Sequence, residues 1–402
     1  MKNLFNFITE KSISNTPWDY YFFKNLDEKE YPRYLAKLFY MNTGEKLPLK
    51  YDFKNKSWII DKKKCKTFNQ KIQWLKLYDA TDLKRKCTDK AAVRDYVAEK
   101  IGSEYLKPVL QVIPSINCDC HVIARNNGLE GDEAIQGKRS QKAMYENSEI
   151  KSNNNIGWTA TDFFLNLQIQ SYYYQPVSLC KSPRSDGKID ALHPKFNDVT
   201  TYFDQIDWEN LPNSFVIKCN HGCKWQFIIK DKEAFLKNKR LFDIVKRNIT
   251  GWLEQEFWCF QGFEMQYKNI KSAIIIEPLM RENINTAQTE IEVFCFKGIP
   301  KLVHKIYPDK PNTLCVYDEN LNNCNIKFLN EYVVSKDNDK GFLKSAVELS
   351  AKLSKNFNFI RVDWILYKNK IYFGEMTFTP YSGFAYGLSK KDNNYLGGLI
   401  QI

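Results

Sequence analysis

One stretch near the end of the chain constrains it most. Arg361-Val362-Asp363-Trp364-Ile365-Leu366-Tyr367 and Ile371-Tyr372-Phe373-Gly374-Glu375-Met376-Thr377 flank the polar Lys368-Asn369-Lys370. Two runs of β-branched and aromatic residues around a polar turn predict a β-hairpin, although the strong Asn-Gly turn pair is missing. With a three-residue loop at Lys368–Lys370, Tyr367 faces Ile371, Asp363 faces Glu375 and Arg361 faces Thr377. Strand alternation puts Arg361, Asp363, Glu375 and Thr377 on one face. The other face carries Ile360, Val362, Trp364, Leu366, Tyr372, Met376 and Phe378 and is predicted to be core.

Directly opposed cross-strand residues have Cβ atoms about 4.5–5.5 Å apart. Two carboxylates at that distance repel unless a cation lies between them or one keeps its proton. Hard oxygen ligands beside an arginine suit Mg2+ shared with phosphate oxygens. Spacing alone leaves a second reading open, a solvated strand face on which Arg361 and Asp363 simply pair.

The 402 residues allow two or three domains and a large core. A charged fraction of 26% against 43% hydrophobic residues excludes a disordered chain. The net charge of +12 points to anionic partners, whether phosphates, acidic sugars, nucleic acid or a membrane face, without choosing among them. Runs such as Lys62-Lys63-Lys64 are ordinary solvated lysines on this reading. No apolar run approaches the ~18 residues of a membrane span, and Met1–Phe7 has no signal-peptide pattern. Eleven cysteines, an odd number at irregular spacing, fit reduced thiols and a cytoplasmic compartment.

In chain order, residues 1 to about 60 are expected to be helical and aromatic, with Tyr31–Leu38 the clearest periodicity. Residues 66–80 place Phe68, Ile72 and Leu75 on one helical stripe. Thr88–Val97 is expected to be a helix with a cap and an acid in its first turn. Lys90 near that helix start runs against the dipole preference, which a nearby anion would explain. A strand is expected over Tyr105–Val112. Residues 114–199 change character, rich in Ser, Asn and Gly, with a short helical piece at Thr161–Leu167. Cys118, Cys120 and His121, with Cys180 and His193 downstream, offer zinc-type ligands, but the spacing is not C-x₂₋₄-C and fixes no partners.

Phe215–Lys218 is predicted to be a buried strand ending in lysine. Cys219-Asn220-His221-Gly222-Cys223-Lys224-Trp225 then leads to a second strand, Gln226–Asp231. Such a hairpin can fold over a triphosphate with backbone N–H groups and lysine as donors, but it is no Walker loop. His221 is either a base or a hydrogen-bonded structural residue. A helix is expected over 233–258, a buried strand over Ala273–Met280 ending in an acid, a hairpin over 290–307, and a helix near Phe342–Lys355. The second half is therefore α+β.

Taken in order, these pieces resemble a known family. The stretches are Lys66–Leu75, Asp89–Val97, Phe215–Gly222, Phe294–Gly298, Phe359–Asp363 and Tyr372–Pro380. Together they look like the TupA-like ATP-grasp family of polysaccharide biosynthesis, over most of 60–112 and 205–402. The resemblance implies an ATP-grasp fold, two α+β subdomains gripping ATP, with a helical N-terminal region over 1–112, an insertion over 113–204 and the main nucleotide-binding part over 205–402. It also implies that Lys90 and Lys218 hold the nucleotide phosphates, with His221 and Gly222 in the covering loop. Glu277 and Leu279 would lie at the adenine hinge. Asp363, Glu375 and Thr377 would hold Mg2+, and Arg361 would steady an acyl-phosphate together with Lys218. The implied activity joins a uronic acid of a capsule-like glycan, or its nucleotide-sugar precursor, to a small amine or amino acid, with no nucleic-acid partner. A glycosyltransferase using a nucleotide sugar is the competing expectation, which the two-lysine order and terminal hairpin disfavour. Three departures stand out: Cys223-Lys224 replaces the family's Ser-Gly, Glu292 stands where relatives usually have lysine, and the 114–199 segment interrupts a region that is short in relatives.

Overall fold

The computed structural model describes residues 23–115, 200–260, 262–281, 288–307, 310 and 312–402. The thiol and imidazole residues Cys118, Cys120, His121, Cys180 and His193, and the piece Thr161–Leu167, lie outside these.

Among the described residues the first long helix is α1 (Tyr31–Thr43), which has Pro32 in its first turn and Gly44 left-handed at its end. An antiparallel hairpin follows, β1 (Leu49–Asp52) and β2 (Ser57–Ile60), where a helical region was expected. Helix α2 (Phe68–Tyr78) starts with a capping box between Thr67 and Gln70 and buries Phe68, Ile72 and Leu75, the predicted stripe. Helices α3 (Asp82–Thr88) and α4 (Val93–Ile101) flank a turn at residues 89–92. The expected helix over 88–97 therefore begins only at Val93. Asp89 ends α3 instead, and its carboxylate accepts from the Ala91 and Ala92 amides at 2.8 and 3.3 Å. The strand expected over 105–112 starts only at Gln111, as β3 (Gln111–Pro114); Pro108 has no N–H to give a ladder.

The remaining elements build two sheets. Helix α5 (Thr200–Phe203) precedes the hairpin of β4 (Phe215–Cys219) and β5 (Gln226–Ile229). Helices α6 (Lys232–Lys237) and α7 (Lys239–Leu253) replace the single helix expected over 233–258. They part at Asn238, whose side chain leaves the helical path to cap the Leu241 amide at 3.1 Å. With β6 (Ala273–Pro278) these strands make a four-stranded sheet in the order β3-β6-β4-β5. Its Ile217, Ile274 and Ile276 pack in one core with Val245, Ile249 and Trp252 of α7.

The larger sheet runs β10-β9-β8-β7-β11-β12, from β7 (Glu290–Phe296), β8 (Ile299–Ile306), β9 (Thr313–Asp318), β10 (Val333–Ser335), β11 (Phe359–Tyr367) and β12 (Lys370–Thr377). Helix α8 (Leu343–Ser354) precedes β11, and α9 (Lys390–Leu399) follows β12. One face carries Ile360, Val362, Trp364 and Met376 in a core shared with α4 and α8, as expected. The other face is apolar at one end, where Phe294, Phe296 and Phe359 share a core with Phe68 of α2 and Leu396 of α9. At the other end that same face turns polar. Among the described residues no helix is long and apolar enough to cross a membrane.

Candidate functional site

The polar end of the large sheet is fixed by the β11/β12 register. Arg361 pairs with Thr377 and Asp363 with Glu375, as the alternation predicts. The route to that register differs. Tyr367 pairs with Lys370, not Ile371, so the turn is the two residues Lys368 and Asn369, both left-handed as a type I′ turn requires. A bulge between Asp363 and Trp364 restores the pairing. Gly374 occupies the bulge, where a Cβ would come within 2.8 Å of the Asp363 carbonyl oxygen. The bulge also swaps parity beyond it, so Phe373 and Ile371 enter the core and Tyr372 does not.

The polar row is not a solvated strand face. Arg361 is only 11% exposed at its side chain and Asp363 16%. Arg361 forks onto Asp363, with Nε 2.7 Å from Oδ1 and Nη2 2.6 Å from Oδ2. Its Nη1 lies 3.1 Å from Glu292 Oε1, on the strand beyond. Burial works against the Arg361 charge, but Asp363 and Glu292 outweigh it and push its pKa up. Burial pushes the Asp363 carboxyl up, with the Arg361 fork opposing. Glu292 continues the row to His304, a fully buried ring whose Nδ1 is 3.3 Å from Glu292 Oε2 without hydrogen-bond geometry. The ring's Nε2 lies 3.2 Å from the Ile326 carbonyl oxygen.

Thr377 Oγ1 lies 2.9 Å from Glu375 Oε1 and 3.2 Å from Asp363 Oδ2, bridging the two carboxylates. Burial would raise the Glu375 pKa, but cations, Lys90 foremost, hold it below the usual range. Among the described residues no group of three His, Cys, Asp or Glu side chains is arranged to hold a metal. Two carboxylates and a hydroxyl nevertheless fit Mg2+, which takes few protein oxygens and completes its shell with phosphate and water.

Glu375 also lines a cleft together with Lys90, Arg94, Lys107, Lys218 and Glu277. Lys218, next to last in β4, and Lys107, ahead of β3, both reach Glu277 Oε2, at 2.8 and 3.1 Å. Burial drives Lys218 down to about 8, with Glu277 opposing. Burial alone would raise Glu277, but Lys107 and Lys218 prevail and hold it at about 2. Lys90 enters from the turn between α3 and α4. Its Nζ donates to the Gly222 carbonyl and its amide to the Asn220 carbonyl. Three lysines thus converge where the structure supplies the carboxylates of Glu277 and Glu375 and one carbonyl.

The loop after β4 is packed down. Asn220 donates to Asp89 at 2.9 Å and to the Lys271 carbonyl at 2.8 Å, and accepts from the Ala273 amide at 2.7 Å. Gly222 leaves room for the Trp225 ring, whose atoms would come within 2.3 Å of a Cβ there. His221 does not serve as a base. Its Nε2 lies 3.0 and 3.1 Å from the Trp252 and Gln255 carbonyl oxygens, and burial takes its pKa down to about 4. At the expected adenine hinge the Leu279 amide already donates to Ser214 at 3.3 Å, and Glu277 turns its carboxylate to the lysines. Lys107, Glu292, His304 and Asn220 are the residues that sequence reasoning missed here. Only the unusual acid at 292 left a trace in the pattern.

A family model described as TupA-like ATPgrasp matches residues 186–401, more than half of the chain. The chain belongs to this family. The matched region of this ATP-grasp protein holds Lys218, Glu277, Arg361, Asp363, Glu375 and Thr377 and leaves Lys90 outside, so Lys90 joins the site through Gly222 and Asn220. Solved structures also match at low identity. The D-alanine–D-alanine ligase from Bacillus anthracis complexed with ATP is 16% identical, over 49% of this chain and 52% of that one, with a TM-score of 0.25. The D-alanine–D-alanine ligase from Helicobacter pylori is 13% identical, over 51% and 54%, with a TM-score of 0.28. The D-cycloserine synthetase DcsG is 14% identical, over 46% and 54%, with a TM-score of 0.24. The match spans about half the length of each, and the ATP-grasp assignment rests on the family match rather than on these superpositions. No curated protein matches the chain.

Proposed function

We propose that this chain is an ATP-dependent, ADP-forming carboxylate–amine ligase acting on a uronic acid of a surface polysaccharide, capsule or related glycan, or of its nucleotide-sugar precursor. The observation that carries the reading is the single cleft lined by Lys90, Lys107, Lys218 and Glu375, beside the Arg361–Asp363–Thr377 cluster. In this reaction a carboxylate oxygen attacks the γ-phosphorus of ATP and ADP leaves. The amine nitrogen then attacks the acyl carbon, phosphate departs, and the nitrogen loses a proton.

The chain's own contribution is positioning and charge. The three lysines hold the phosphates, and the loop through Gly222 covers them. Asp363, Glu375 and Thr377 would hold Mg2+, which neutralises phosphate charge when bound. Arg361, kept protonated by two carboxylates, faces the charge that builds on the transferred phosphoryl group. Residues 113–204 are assigned to the acceptor side on this reading. A deletion of 120–195 should then bind Mg-ATP normally and change acceptor use, and a folded deletion protein without ATP binding would refute that.

The test is calorimetric titration with Mg-ATP and with nucleotide sugars, using Lys218→Ala as control, followed by ADP release with uronic acids and amines. Mg-ATP binding lost in the variant, with ADP released only when both acceptor and amine are present, supports the ligase. A nucleotide sugar bound there with no response to ATP makes the protein a glycosyltransferase.

A further inference from the structure

The β1/β2 hairpin carries a feature that the nucleotide cleft does not use. Its register pairs Tyr51 with Trp58 and Leu49 with Ile60. One face therefore starts in the core at Ile60, fully buried, and runs outward through Tyr51 and Trp58 to solvent. Phe53, at the tip, is 83% exposed. The Tyr51 ring meets Phe53 at 5.0 Å and 81°, and Trp58 at 5.5 Å and 71°. Exposing three contacting aromatic rings to water is unfavourable unless something covers them.

The charge around them has one sign. Residues 46–66 hold eight lysines, Lys46, Lys50, Lys54, Lys56, Lys62, Lys63, Lys64 and Lys66, all exposed, against Asp52 and Asp61. Both acids are occupied. Asp52 accepts from the turn amides of Lys54 and Asn55, and Asp61 lies within 4.0 Å of Lys50 and Lys64. The Ile60 amide donates to the Tyr78 hydroxyl at 3.2 Å, which ties the hairpin to α2.

We propose that this hairpin docks the protein peripherally on an anionic phospholipid bilayer, with Phe53, Tyr51 and Trp58 in the interface and the lysines over the headgroups. Aromatic rings favour that interfacial zone, and a polybasic rim supplies attraction to anionic lipid. Ring geometry separates this from sugar stacking. A sugar lies on a flat aromatic face, whereas rings standing edge-on to one another make a wedge with no common platform.

The test is vesicle flotation of the full chain, with phosphatidylcholine–phosphatidylglycerol vesicles and with phosphatidylcholine vesicles alone. The expected result is flotation with the anionic vesicles, absent on phosphatidylcholine and weakened by salt. Phe53→Ser should reduce partitioning by about ten-fold or more, and each of Lys54→Gln and Lys56→Gln by about five-fold, with unchanged thermal melting. No flotation of the folded protein, or flotation indifferent to Phe53→Ser, overturns the proposal. So does retention on polygalacturonate that Phe53→Ser abolishes without any vesicle binding, which would make the hairpin a glycan site. A dimer that Phe53→Ser dissociates, again without vesicle binding, would assign it to a second copy and overturn the proposal equally.

Discussion

The side-chain amide of Asn220 donates to the Asp89 carboxylate at 2.9 Å, joining residues 131 positions apart. With the Lys90 amide on the Asn220 carbonyl, this contact fixes the α3–α4 turn against the β4 loop. It is what brings Lys90 to the cleft.

Asn220→Ala should therefore cost about 1–3 kcal/mol of stability, since it removes one donor from the Asp89 carboxylate and leaves the buried Ala273 amide without its acceptor. It should also weaken Mg-ATP binding by more than its melting shift accounts for. Thermal melting and calorimetry check this, and wild-type behaviour in both would remove Asn220 from that role.

Acid stability should depend on Glu277. Its carboxyl is held at about 2 against an ordinary 4.5, so its contribution is complete above 4.5 and is lost as pH falls towards 2. The full shift is worth roughly 3 kcal/mol. Lys218, lowered by burial from 10.5 to about 8, acts in the same sense in a higher window: its burial penalty is relieved as it loses its proton, so stability rises with pH between those values. Glu277→Gln should flatten the acid limb and, by removing the charge that holds Lys218 up, start the alkaline rise at lower pH. Urea unfolding at a series of pH values gives both limbs.

Phosphate binding should raise the Lys218 pKa, because an anion favours the ammonium form. Mg-ATP affinity should then fall above pH 8, approaching ten-fold per pH unit, with proton uptake on binding. Calorimetry in buffers of different ionisation enthalpy reads the uptake directly; none at pH 9 would contradict the assignment.

Glu375→Ala should abolish turnover, by 10²-fold or more on the scale of lost transition-state electrostatics (about 3 kcal/mol), while the melting temperature stays near wild type. ADP release is the readout, and undiminished release takes Glu375 out of the site.

His221→Gln should lower the melting temperature, since its Nε2 serves the Trp252 and Gln255 carbonyls. It should leave the shape of the pH–rate profile unchanged. A lost acid-side limb would restore the histidine as a base.

The terminal hairpin shows how far the pattern could be read. Alternation brought Asp363 opposite Glu375 because two unseen features cancel: a turn one residue shorter and a bulge one residue longer. Ile371, Tyr372 and Phe373, between them, exchange faces. Local chemistry named the lysine near the end of β4, but Lys107 reaches Glu277 through tertiary packing that no local spacing encodes. The same holds for His304, buried beside Glu292 on the next strand. The β1/β2 hairpin was missed because its turn, Phe53 to Lys56, carries no glycine; Lys56 itself takes the left-handed conformation.

Two ammonium groups resting on one oxygen of Glu277 make that carboxylate an internal competitor. An incoming anion must displace it and leave Glu277 without its partners, so a weak anion gains little by entering. A triphosphate, which can engage Lys90 as well, recovers what the exchange costs. The cleft should thereby discriminate by charge number, with thermal stabilisation expected in the order triphosphate, diphosphate, monophosphate, a ladder that Glu277→Gln should compress.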